Sequence, residues 1–319
     1  MPKHKFEGHE RSIQSFIFLH DNVHIVSGSE DGKIRKWECD TGNFVGVPWK
    51  GEGGGINALA LSPDGRTIAC GRNDGSVQRW DTYGEMIEDI WTGHSSCVRM
   101  LSWSPRGGHI ASGSFDGTIL IRKAESGEVE VGPIETKQGK VYSLAYSPPG
   151  DKIASGGSNG TICIWDSNTG KLLVGPIKGL GGWVKSVVWS SDNSKLEIKE
   201  LDVLLMDNFA RVFDSISGTL LHRFEHDHTL ESVALPLKND NILACVGQHG
   251  VAKLWNIESH RPLNQPFGPP DYNNHIFCVS FSRDGRYLAY CGGDNKIALW
   301  IIGDVVPEIA VSALLIGFH

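Results

Sequence analysis

The 319-residue chain is 40% hydrophobic and 21% charged, with a formal net charge of −7 and no basic stripe to offset it, so a surface built on phosphate contacts, and with it nucleic acid, is excluded as a leading partner. No apolar run approaches the ~20 residues of a membrane-spanning helix, and the opening MPKHKFEGHE has neither the apolar core nor the cleavage site of a secretory leader. The seven cysteines include no C-x-x-C pair and mostly lie in apolar, strand-like runs, so a cytoplasmic or nuclear, reducing home without a disulfide frame is expected.

Along the chain one pattern recurs. It reads SGSEDGKIRKWECDTG at 27–42, CGRNDGSVQRWDTYG at 70–84, SGSFDGTILIRKAESG at 112–127 and SGGSNGTICIWDSNTG at 155–170. Looser copies follow as MDNFARVFDSISG at 206–218, GQHGVAKLWNIES at 247–259 and GGDNKIALWII at 292–302. The equivalent positions Trp37, Trp80, Arg122, Trp165, Phe213, Trp255 and Trp300 are separated by 43, 42, 43, 48, 42 and 45 residues. A period of about 43 residues matches one four-stranded propeller blade per copy.

Upstream of each such block lies a second one, for example INALALSPDG at 56–65, VRMLSWSPRG at 98–107, VYSLAYSPPG at 141–150 and IFCVSFSRDG at 276–285. Alternating apolar and polar residues predict a half-buried inner strand. The S-P-D-G type of turn then reverses the chain, because proline presets φ and glycine supplies φ > 0. A short apolar strand follows, and D-G turns it into a third strand that ends at the tryptophan.

The expected fold is therefore all-β: a seven-bladed β-propeller of four-stranded antiparallel blades. The blades fall at about 6–48, 49–90, 91–134, 135–177, 178–223, 224–267 and 268–303, with strand 3–7 completing the last one. Residues 304–319 form a tail expected to pack or to cap an edge. The fifth copy fits worst: KLEIKELDVLLM at 195–206 stands where the pattern wants something like KLASGSM, and reads either as an insertion or as a segment wrongly included in the gene.

The GH…SPDG…SGS.DG…WD pattern resembles the WD-repeat propellers over roughly residues 6–300. The recurring link seen in SGEVEVGPIE and TGKLLVGPIKG is similar to the repeat arrays of fungal NACHT-type WD-repeat proteins, although no G-x-x-x-x-G-K-[ST] loop is present here. The resemblance implies a buried hydrogen-bonded chain of His, Ser, Asp and Trp in each blade. Blade one has the whole set as His9, Ser27, Asp31 and Trp37. Blade three has His94, Ser112 and Asp116, with Arg122 in place of the tryptophan. Blade six has His226 and Trp255, while blades two, four, five and seven lack the histidine.

The same resemblance implies that one loop-bearing face binds partners. Two kinds of position point there: the residue before the turn aspartate, as in Phe115, and the residues around the start of the inner strand, as in Arg99, Tyr142, Trp183, Lys185 and Phe277. Aromatic and arginine side chains dominate binding energy at interfaces, so these six are the candidate partner-binding residues. A protein or peptide partner is expected, with no catalytic residue, no cofactor, no metal, no nucleic acid and no membrane. The alternatives are a ligand-sensing propeller of the NACHT-related kind and, less favoured, a metal-dependent hydrolase. For the latter, the stretch HRFEHDH offers His222, His226 and His228 beside Asp227 at a spacing that could serve zinc.

Overall fold

The computed structural model describes residues 1–178, 180–191, 195–201, 208–226, 228–237, 241–263, 265–268 and 275–306, with residues 88, 89 and 195–201 described by backbone alone. Strand pairing groups the chain into seven antiparallel sheets. The first holds Ile13–Phe18, His24–Ser29, Lys33–Glu38 and Phe44–Lys50. The inner strand of each sheet lies against that of the next, and the last, Ile276–Phe281, returns to Ile13–Phe18. The result is a closed ring.

His4–Glu7 supplies the outer strand of the last sheet by pairing with Lys296–Ile301, in register from His4 opposite Leu299 to Glu7 opposite Lys296. This joins the two ends of the described chain and removes an exposed edge. Phe6 is fully buried beneath Trp37, and Lys3 reaches both Asp40 (2.6 Å) and the Tyr287 hydroxyl (3.0 Å). Beyond Ile301 the chain makes a helical turn, Ile302–Val305, with Ile302 and Val306 buried; the remainder of the expected tail lies outside the described residues.

The core consists of layers between neighbouring sheets. One such layer joins Val26, Ile34 and Trp49 of the first sheet to Ile56, Leu59 and Ile68 of the second. This close approach explains the glycine of the SGS motif: a Cβ on Gly28 would lie 2.4 Å from Ile56 Cγ2, and one on Gly156 would lie 2.3 Å from Val184 Cγ1. The outer strands interlock too. Gly127, at φ +73°, sits so tightly under the preceding blade that its Cβ would fall 2.1 Å from Trp91 Nε1.

The expectation of a seven-bladed propeller of four-stranded antiparallel blades is corrected in the sixth sector. Six sheets carry outer strands of four to seven residues. In the sheet of Leu230–Ala234, Ile242–Gly247 and Ala252–Asn256, the outer strand shrinks to Arg261–Pro262. The ring thus has six complete blades and one reduced sector. Here HRPLNQPFGPP brings two prolines, 262 and 266, within five residues, each without the N–H that a paired strand donates, whereas the full outer strands of blades one, three and four each hold a single one. Beyond Pro262 the Leu263 N–H donates to the Leu254 carbonyl (2.9 Å), and an isolated bridge joins Ala252 to Phe267.

Residues 195–201, the poorest match to the repeat, form the second strand of the fifth blade. They pair with Trp183–Trp189 on one side and Phe209–Asp214 on the other, with Lys195 opposite Asp214. Residues 202–206, the rest of that doubtful segment, lie outside the described residues.

Candidate functional site

The loops of the ring are anchored by buried polar networks, and these explain which side chains are left for other work. In blade one Trp37 Nε1 donates to Ser27 Oγ (2.8 Å), which in turn contacts His9 Nε2 (2.8 Å), while His9 Nδ1 contacts Asp31 Oδ2 (2.8 Å). One proton arrangement satisfies every bond: the tryptophan donates to the serine, the serine to the histidine, and the histidine to the ionised aspartate. Burial alone would raise the pKa of Asp31. The bonds from His9 and from the Lys33 and Glu10 backbone N–H groups outweigh it and hold the carboxyl down at about 2.

Blade three repeats the histidine part, with His94 contacting Ser112 Oγ and Asp116 Oδ2 at 2.9 Å each. Its Arg122 donates instead to the carbonyls of Gly127 (2.8 Å) and Thr92. Blade four lacks a histidine but not a network: Ser155 Oγ donates to Gln138 Oε1 (2.5 Å) and accepts from Trp165 Nε1 (2.8 Å). Gln138 stands 17 residues before its serine, where His9 stands 18 before Ser27. That spacing was the available signal, and a search for histidine misses it. In blade six, where Cys245 replaces the serine, Trp255 Nε1 donates straight to His226 Nε2 (2.9 Å). These residues hold loops in place.

On one mouth of the ring the residue that follows the first buried residue of each inner strand comes to the rim, as in Gln14, Asn57, Arg99, Tyr142 and Lys185. In blades one and two the rim positions satisfy one another, Gln14 Nε2 donating to Glu30 Oε1 (2.8 Å) and Asn57 Nδ2 to Asn73 Oδ1 (2.7 Å). Blades three to five differ. The Phe115 and Tyr142 rings meet at 4.8 Å with a 60° tilt, and Tyr142 stacks on Trp183 at 5.1 Å and 14°. All three rings are half-buried. Lys140 Nζ lies 4.9 Å from the centre of the Phe115 ring, and Lys185 Nζ lies 5.8 Å from that of Trp183.

Lys185 also donates to the buried Glu231 of blade six (2.6 Å). Burial lowers the Lys185 pKa, with Arg99 pushing the same way, although Glu231 pulls against both. Arg99 itself donates through Nη1 to the Asn57 carbonyl (3.0 Å). Of the six candidate residues, the fold therefore gathers Phe115, Tyr142, Trp183 and Lys185 into one ladder with Arg99 beside it. Phe277 is half-buried on blade seven, next to Gly293, and shares no ring contact with the ladder. Lys140 was missed. It occupies the same position before the inner strand that singled out Trp183, and the sequence pattern could have found it.

The histidines of the HRFEHDH stretch do not converge. His222 stacks on His260 at 3.5 Å, His226 accepts from Trp255, and His228 packs edge-on against His249 at 4.3 Å. His226 and His228 line a cavity of about 30 Å³, room for about one water. Asp227 lies outside the described residues, and among the described residues no three His, Cys, Asp or Glu side chains are grouped so as to hold a metal ion.

A closed ring of antiparallel sheets, anchored in blade one by a full His–Ser–Asp–Trp chain and in others by variants of it, and carrying an aromatic rim, defines a WD-repeat β-propeller. More narrowly, the chain belongs to the family described as the IFT122 first beta-propeller, whose profile matches residues 12–301. Among curated proteins it is similar to the guanine nucleotide-binding protein subunit beta of Nicotiana tabacum, 32% identical over 81 residues covering 24% of this chain and 22% of that one. It is also similar to the small ribosomal subunit protein RACK1y of Oryza sativa subsp. japonica, 41% identical over 64 residues, 20% of this chain and 19% of that one. A third relative is a WD repeat-containing protein 26 homolog of Arabidopsis thaliana, 30% identical over 88 residues, 27% of this chain and 14% of that protein. The chain thus spans less than a quarter of the length of each of these relatives.

Proposed function

We propose that the chain is a non-catalytic recognition propeller that binds a protein or peptide segment across the rim of blades three to five. The observation that carries this reading is the ladder Lys140, Phe115, Tyr142, Trp183 and Lys185, in which each neighbour lies within 6 Å of the next ring. Large rigid rings and cations concentrate binding energy in a few anchors. Because the blades already hold these rings against one another, little side-chain freedom remains to be lost on binding. Relatives named as a guanine nucleotide-binding protein subunit and as a serine-threonine kinase receptor-associated protein, the latter from Gallus gallus, support a role exercised in company with other proteins.

The test is affinity capture with quantitative mass spectrometry. The unaltered chain is compared with the double variant Phe115→Ala and Tyr142→Ala, and with Phe277→Ala, after circular dichroism confirms that all fold. Lys185 is left intact because the buried Glu231 depends on it. The double variant is expected to lose a defined set of partners by at least roughly tenfold, while Phe277→Ala retains them. Capture of the same partners by the unaltered chain and the double variant overturns the reading.

A further inference from the structure

We infer that the segment taken by this rim is acidic, a short peptide whose Asp and Glu side chains meet Arg99, Lys137 and Lys140 along the edges of the aromatic ladder. The inference rests on the rim being a peptide-binding surface and adds the chemistry of its partner.

The rings themselves argue for an anion. Tyr142 meets both Phe115, at a 60° tilt, and Trp183, in a 14° stack. The ammonium groups of Lys140 and Lys185 lie over the Phe115 and Trp183 rings. A cationic partner has to take a ring face beside these lysines and is repelled by them. An anionic group meets the lysines and the ring edges, which carry the positive part of the aromatic quadrupole.

The surrounding charges point the same way. Lys137 and Lys140 are exposed, and neither they nor Arg99 has an ion-pair partner among the described residues. The nearby acids are mostly engaged: the Asp116 carboxylate is bound by His94, Thr118 and the Ser95 N–H, and Glu231 by Lys185. Among the described side chains, Glu135 stands exposed at the end of the adjoining outer strand. Across the mouth, blades one and two present Glu10, Glu30, Glu52 and Asp74 in exposed positions, with Glu10 held by Lys33.

In a chain of net charge −7, the described side chains around the ladder therefore make a locally cationic arc. Salt screens exposed charges beyond roughly 8–10 Å, so a few carboxylates laid on the arc feel Arg99 and the lysines rather than the overall charge. A long polyanion would run into the acidic side. The same asymmetry fixes the direction in which an acidic segment lies, away from blades one and two.

The experiment selects random dodecapeptides by display on the full chain, and in parallel on the double variant Lys137→Glu and Lys140→Glu and on Tyr142→Ala. Selected peptides and a thymidine dodecanucleotide are then titrated by fluorescence anisotropy. The expected result is enrichment of Asp and Glu around one or two apolar residues. Binding should weaken roughly tenfold between about 50 and about 300 mM salt, and by a similar factor in the charge-reversed variant. The oligonucleotide should bind at least roughly tenfold more weakly than the peptides. Neutral or basic peptides that are lost on Tyr142→Ala overturn the acidic assignment and leave the rim in place. Peptides that bind Tyr142→Ala undiminished overturn the rim itself. An empty selection, or an oligonucleotide that binds as tightly as the peptides, overturns the inference.

Discussion

Replacing Ser27 by alanine removes one hydroxyl and strands two partners. Trp37 Nε1 loses its acceptor and His9 Nε2 loses its donor, each from 2.8 Å, and neither can turn to solvent because Trp37 is 1% and His9 6% exposed. A buried polar group left without a partner costs about 1–3 kcal/mol, so with two such groups the expected loss for Ser27→Ala is roughly 2–6 kcal/mol. Blade three provides the internal control. There Arg122 replaces the tryptophan and bonds elsewhere, so Ser112→Ala strands only His94 Nε2 and should cost about 1–3 kcal/mol. Urea unfolding followed by tryptophan fluorescence gives the overall cost. Hydrogen exchange over residues 13–38 and 98–123 locates it, which matters because a ring of this size need not unfold in one step. Equal costs for the two variants, or a loss below about 0.5 kcal/mol for Ser27→Ala, would refute the argument that the serine is a hub.

Acid should act through Asp31. Its pKa is lowered from 3.8 to about 2 by folding, so its stabilising contribution is fully present above 3.8 and is lost as the pH falls towards 2. The stability gap between the unaltered chain and Asp31→Asn, measured by urea denaturation at stepped pH, is expected to hold constant down to that window and then close; a gap that widens in acid contradicts the assignment. Two glycines with similar backbone separate strain from collision. Gly46 (φ +74°) has open space where a Cβ would go, whereas at Gly127 (φ +73°) the Cβ would strike Trp91. Gly46→Ala should therefore cost only about 1–2 kcal/mol of left-handed strain, and Gly127→Ala roughly 1–3 kcal/mol more. Thermal unfolding of the pair decides it, and equal shifts would show that the outer strands do not interlock.

Much of this protein is legible in one pass along the chain. The 43-residue spacing of Trp37 and Trp80, the D-G turns and the alternating strands are local features, and each reports the structure of its own segment. Blade one's network was readable for the same reason, since His9, Ser27, Asp31 and Trp37 all carry the residue types that the motif implies. That Gln138 serves where a histidine is expected was within reach of its 17-residue spacing to Ser155, since Gln138, Ser155 and Thr161 all belong to one blade. What the sequence could not settle depends on neighbours that the ring brings together. That Lys185 faces Glu231 and Tyr142 stacks on Trp183 follows from side chains of adjacent blades meeting at the rim. The reduced sixth sector is the intermediate case. Its prolines are plain in HRPLNQPFGPP, but only pairing against Ala252–Asn256 shows how little outer strand they leave. Periodicity acts within a segment and can be read there. Contact between blades is fixed by closure of the ring, which no single segment contains.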